Sequence, residues 1–136
     1  MIIYLDTSAV LRVLLNQQEA SSHWGKWGKA YVSELMRTEF FRTLDRLRLQ
    51  AHIDDTDRAQ VARDFETFWI TCYRVPLSRQ ILKRAADPFP TVLGSLDAIH
   101  LSTALMVESS ENIRVHLLTH DQQLARAALA SGVSVL

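Results

Sequence analysis

Three observations predict an α/β fold with a mostly parallel central sheet flanked by helices. Short apolar runs at Ile2–Leu5, Arg114–Leu118 and Val133–Leu136 read as strands and are separated by stretches with helical periodicity. The apolar share is 48%, with only four Gly and three Pro, which suits a compact domain with a real core. Two acids, Asp6 and Asp121, stand just past two of the strand-like runs. Open α/β sheets place their ligand crevice at those strand ends.

The elements follow in order. Ile2–Leu5 is short, apolar and rich in β-branching, as a buried strand should be. Thr7 and Ser8 supply hydroxyls before a helical run over Ala9–Leu15. A second short helix is expected over Ala20–Lys29, weakened by Gly25 and Gly28. Ala30–Val32 reads as a short strand, and Ser33 is placed to cap a helix over Glu34–Leu49. In that helix Met36, Phe40, Leu44 and Leu47 form one apolar stripe, and Glu39 borders it. Asp54–Trp69 is a further amphipathic helix, Tyr73–Leu77 an extended link, and Ser78–Ala86 a helix. Asp87-Pro88-Phe89-Pro90 breaks the chain before a nearly all-apolar helix over Leu96–Val107. The final helix spans Gln122–Ala130 and is closed by Gly132. The middle is more helical than a simple βαβ repeat and suggests a helical hairpin beside the sheet. One domain over residues 1–136 is expected.

Composition narrows the function classes. A single cysteine, Cys72, excludes an internal disulfide and reads as a small buried hydrophobe. No stretch approaches the roughly 18 uncharged apolar residues of a membrane span. The first residues lack a basic leader, so the expected compartment is the cytoplasm. Fifteen basic side chains balance fifteen acidic ones. Setting four acids aside as metal ligands leaves a mild positive surplus, which favours anionic partners only weakly. Gly-rich phosphate loops are absent, and neither Ser8 nor Cys72 sits in a nucleophile elbow.

The chemistry rests on four isolated acids: Asp6, Glu39, Asp97 and Asp121. Taken singly, each has an ordinary structural reading. Asp6 and Asp121 suit helix caps, Asp97 suits the positive end of a helix, and Glu39 can pair with Arg42 on its own helix. Taken together they read differently. Asp97 lies among Leu96, Ala98, Ile99 and Leu101, where a buried carboxylate is costly unless paired or metal-bound. Oxygen-only ligands suit Mg²⁺ or Mn²⁺ rather than Zn²⁺. Ions of that kind bind phosphate oxygens and assist hydrolysis of phosphodiesters.

Four segments then occur in a telling order: Asp6-Thr7-Ser8-Ala9-Val10, Ser33-Glu34-Leu35-Met36-Arg37-Thr38-Glu39, Ser95-Leu96-Asp97-Ala98-Ile99-His100-Leu101 and Leu118-Thr119-His120-Asp121. The chain resembles the PIN domain, in particular the VapC-type toxin ribonucleases of toxin–antitoxin pairs. The third segment is the most specific of the four. The resemblance implies a PIN-like fold and a catalytic quartet of Asp6, Glu39, Asp97 and Asp121. It implies Asp6 and Asp97 as principal metal contacts, with Glu39 and Asp121 acting through water. Ser8 and Thr119 match small hydroxyl positions that support the carboxylates. Some relatives carry a further acid where this chain has Gln122 and Gln123, which leaves one or two ions open. The resemblance further implies an RNA substrate, a VapB-like antitoxin partner and a homodimer. The alternative reading is a catalytically silent RNA-binding module acting in a regulatory complex.

Other side chains stay open to two readings. Arg12, Arg37 and Arg42 are candidate contacts for RNA phosphates, as is Arg46, against the plain reading of a solvated helix face. His100 and His120 touch substrate or metal, or are structural, with the structural reading favoured. Trp24 and Trp27 either stack on bases or pack in the core.

Overall fold

The structure is a computed structural model that describes residues 1–16 and 21–136. The elements run β1 (Ile2–Leu5), α1 (Thr7–Leu14), β2 (Lys29–Ser33), α2 (Leu35–Leu49), α3 (Asp55–Trp69) and β3 (Tyr73–Val75). They continue with α4 (Arg79–Ala85), α5 (Ser95–Glu111), β4 (His116–Leu118), α6 (Gln122–Ala130) and β5 (Ser134–Val135). The strands form one sheet in the order β3-β2-β1-β4-β5, and every neighbouring pair is parallel. No helix among the described residues is long and apolar enough to cross a membrane.

Strand alternation sorts the core into two layers. Ile3, Leu5, Ala30, Val32 and Leu118 face α1, α2 and α3, with Met36, Phe40, Phe65 and Trp69 above them. The intervening residues Tyr4, Tyr31 and Leu117 face the other way, onto Leu101, Ala104, Leu124 and Ala127 of α5 and α6. Ile3, Tyr4 and Leu5 are fully buried, because β1 is central and covered on both faces. Each such side chain contributes about 1.5–3 kcal/mol of burial.

Topology then fixes where a site can form. The chain builds outward from β1 to β2 to β3, and α4 and α5 carry it back to β4 on the opposite flank of β1. Strand order reverses between β1 and β4, and a crevice opens outside the carboxyl ends at such a reversal. Asp6 follows β1, and Thr119 follows β4. The Asp6 N–H donates to Leu118 O at 3.1 Å, which holds the two strand ends together.

One expected element is absent. Of the helix expected over 20–29, Ala20 lies outside the described residues, 22–25 form a turn, 21 and 26–28 are irregular, and Lys29 is already in β2. Gly25 adopts φ +76°, a left-handed conformation that ends any helical run. α5 instead runs longer than its apolar pattern, to Glu111, and stops at Asn112 with φ +52°. The Tyr73–Leu77 link contains an edge strand, β3.

Two helices end in the same Schellman hydrogen-bond pattern with different residues at the left-handed position. After α6, Gly132 and Val133 donate to Leu129 O and Ala128 O. After α2, Ala51 and His52 donate to Arg48 O and Leu47 O, with Ala51 at φ +56°. An alanine held there costs about 1 kcal/mol. Ala51→Gly is expected to stabilise the fold by about 0.5–1 kcal/mol, read as a higher midpoint in urea with an unchanged slope. A lower midpoint would contradict it.

Candidate active site

The acids come from four elements around the β1/β4 crevice. Asp6 caps α1, its Oδ2 accepting the Ser8 N–H at 3.2 Å. The same oxygen accepts the Ser8 hydroxyl at 2.5 Å and the Thr119 hydroxyl at 2.9 Å. Oδ1 stands outside this cap, 3.7 Å from His100 Nε2. Ser8 Oγ and Thr119 Oγ1 in turn accept the backbone N–H groups of His120 and Asp121, each at 3.0 Å. Both hydroxyl protons are committed to Asp6. The 3.2 Å approach of Ser8 Oγ to Thr119 Oγ1 is therefore a contact and not a further hydrogen bond. Asp121 caps α6 through Oδ1, which accepts from Leu124 N at 2.9 Å. Capping and site formation thus coexist in Asp6 and Asp121.

Glu39 is fixed from below. Its Oε1 accepts the Thr7 hydroxyl at 2.7 Å and His100 Nε2–H at 2.5 Å. His100 is fully buried, and its Nδ1 lies 2.9 Å from the Tyr4 hydroxyl. With Nε2 donating to a carboxylate, the neutral ring accepts the Tyr4 proton at Nδ1. A chain Tyr4–His100–Glu39 therefore reaches from the sheet interior to the acids.

Electrostatics bind the four acids into one group. Asp97, half-buried in the first turn of α5, has its pKa pushed up from 3.8 to about 6. Burial is the main cause, followed by the charges of Asp121 and Asp6, with a smaller contribution from Glu39. Leu96 beside it is exposed, so Asp97 is less enclosed than the apolar sequence around it suggests. Burial opposes the charged form of His100, but the bond to Glu39 and the fields of Asp6, Glu39 and Asp97 outweigh it and raise its pKa. Tyr4 is held protonated by burial and then by the charge of Asp6.

This donor set fits a hard divalent cation. It is all carboxylate, and the mutual repulsion that raises Asp97 is what a cation would relieve. Among the described residues no three Asp, Glu, His or Cys side chains form a ready-made metal cage. An ion that keeps most of its waters and takes one or two carboxylates directly suits that openness.

The PIN domain family model matches residues 3–129. The chain belongs to that family. This PIN domain is 30% identical over 113 residues to Ribonuclease VapC47 of Mycobacterium tuberculosis (strain CDC 1551 / Oshkosh), covering 78% of this chain and 76% of the relative. Ribonuclease VapC45 of the same strain is 26% identical over 138 residues, 98% of this chain and 94% of the relative. The crystal structure of VapBC2 from Rickettsia felis bound to a DNA fragment from their promoter superposes with a TM-score of 0.68. That match covers 100% of this chain and 98% of the other at 13% identity, a likeness of fold.

The arginines of the PIN domain divide. Arg37 is engaged by Glu66 of α3 through two bonds, at 3.1 and 2.6 Å, and Arg42 by Asp45 at 3.1 Å. Each of these two sequence candidates is drawn to a surface acid away from the quartet. Arg12 lines an open groove beside Ser8 and Asp121, together with Arg46. Trp24 stacks on Phe68 at 5.7 Å and meets Trp27 edge-on at 5.2 Å, both packed against the core, so the packing reading holds. Cys72 is buried, and desolvation pushes its thiol up to about 11.

Sequence reasoning missed Thr7 and Tyr4 as partners of the site. The structural reading of His100 holds, since its ring is fully buried between Tyr4 and Glu39. His100 lies three residues after Asp97, one turn along the same helix face.

Proposed function

We propose that this PIN domain is the toxin of a toxin–antitoxin pair and acts as a Mg²⁺- or Mn²⁺-dependent endoribonuclease in the cytoplasm. The observation that carries this reading is the electrostatic coupling of Asp97 to Asp6, Asp121 and Glu39 at the β1/β4 switch point. Relatives named Ribonuclease VapC support RNA as substrate, and the VapBC2 assembly supports a VapB-like antitoxin partner. The family resemblance further supports one domain acting as a homodimer.

Asp6 through Oδ1 and Asp97 would hold the cation, with Glu39 and Asp121 contacting its waters. When bound, the cation supplies charge neutralisation at the phosphodiester and an acidified water. Thr7 and His100 take up Oε1 of Glu39, which leaves Oε2 outside those bonds to accept a proton from the attacking water. Ser8 and Thr119 keep Asp6 oriented by donating to Oδ2. No protein nucleophile is used.

The test is cleavage of a mixed RNA pool by the wild-type chain, Asp6→Ala and Asp97→Ala, with Mg²⁺ or Mn²⁺ and with chelator. Cutting is expected only with cation and both acids present, down by about 10³-fold otherwise. Folded, antitoxin-free protein that binds RNA but never cuts it would replace this reading with a silent RNA-binding module.

A further inference from the structure

Helices α1 and α2 face each other across an open groove of about 320 Å³ whose near end is Ser8 and Asp121. Helical spacing orders its walls. On α1, Arg12 stands one turn beyond Ser8. On α2, Thr43 and Arg46 stand four and seven residues beyond Glu39, on one face, so Arg46 lies about 10 Å along the axis from the acid. Leu11 and Leu47 give the groove an apolar floor.

Arg46 differs from its neighbours on α2. Arg37 is bound to Glu66, and Arg42 and Arg48 are bound to Asp45. Arg46 is exposed and has no acid partner among the described residues. A polyanion approaching four carboxylates is repelled even when one divalent cation is bound, so productive binding needs cations beside the centre. Among the residues lining this groove, Arg12 and Arg46 are the ones that supply them.

We infer that Arg46, with Arg12, holds a backbone phosphate flanking the scissile bond, while Leu11 and Leu47 seat the adjoining base. The substrate is then single-stranded RNA laid along the α1–α2 groove. An apolar floor between two helices receives an unstacked base and not a paired one. This inference rests on the nuclease reading above and adds the path of the strand.

The experiment measures KM and kcat for a single-stranded oligoribonucleotide that the wild-type chain cuts, using Arg46→Ala, Arg46→Lys and Arg79→Ala. Arg79 is exposed on α4 outside the groove and serves as the equal-charge control. Arg46→Ala is expected to raise KM about three- to tenfold with kcat within about twofold. Arg46→Lys should recover most of the loss, and Arg79→Ala should match wild type. In the Asp97→Asn background, Arg46→Ala should weaken binding and lower the log–log salt slope by about 0.7. Unchanged KM and slope, with wild type still cutting, would overturn the inference and leave the nuclease reading standing. Loss of partner-protein binding with RNA parameters intact would also overturn it and give the groove to the partner. Wild type that neither binds nor cuts RNA would overturn both.

Discussion

Asp97→Asn is expected to raise the melting temperature of the metal-free protein at pH 7.5 by about 3–8 °C while lowering cleavage by about 10³-fold. The Asp97 pKa is about 6 in the folded chain against an ordinary 3.8. Between those values the folded chain holds a proton that the unfolded chain has released, so stability falls as pH rises through that window. By neutral pH the whole penalty is present. The difference corresponds to at most about 3 kcal/mol, and solvent screening of this half-buried group reduces it to about 1–2 kcal/mol. An amide carries no charge to desolvate and is not repelled by Asp121 and Asp6. Melting curves from pH 4 to 8 with chelator check the sign. A variant that melts below wild type at pH 7.5 yet matches it at pH 4 would refute the account.

His100→Ala has the largest expected cost to the fold, about 3 kcal/mol, because two groups lose a partner and a cavity opens at once. The Tyr4 hydroxyl loses Nδ1, Glu39 loses its bond to Nε2, and a cavity opens where a fully buried ring stood. Among the described residues, Glu39 then keeps only the Thr7 hydroxyl. Cleavage by the remaining folded protein should drop about 10- to 100-fold, as for other residues that orient a metal-site carboxylate. The raised pKa of His100 adds a pH signature. Its stabilisation is full below 6.5 and is lost as pH rises through the folded value. The variant should therefore lose more stability at pH 6 than at pH 9. Denaturant titrations at the two pH values decide this, and a deficit below about 1 kcal/mol at both would contradict the buried network.

Local pattern carried most of the fold. Helices α2, α3 and α6 follow their apolar stripes to within a residue, and Asp54, Ser78 and Asp121 cap where side-chain chemistry places them. It failed where conformation depends on one residue, as at Gly25, or where a polar tail such as Glu108–Glu111 continues a helix that packing has already fixed. The four acids were legible because Asp6 and Asp121 follow strand-like runs, Asp97 interrupts an apolar helix and Glu39 borders the apolar stripe of α2. Their supports were not. Spacing on α2 says which face Arg37 occupies, but not that Glu66 from another helix waits there. Nothing local joins Tyr4 to a histidine 96 residues later.

The brace on Asp6 has a consequence for how activity arises in time. Its hydrogen bonds from Thr119 and the Ser8–His120 bond close over 113 and 112 residues of chain. A growing polypeptide presents its first acid at once, but that carboxylate has only its local bonds from Ser8 until the pairing of β4 with β1 brings Thr119 to it. Contacts of such long range form late and only with the completed sheet. An incomplete chain therefore lacks the Thr119 and His120 bonds that complete the brace. Any partner able to meet the protein as it finishes folding has the full interval of synthesis in which to arrive first.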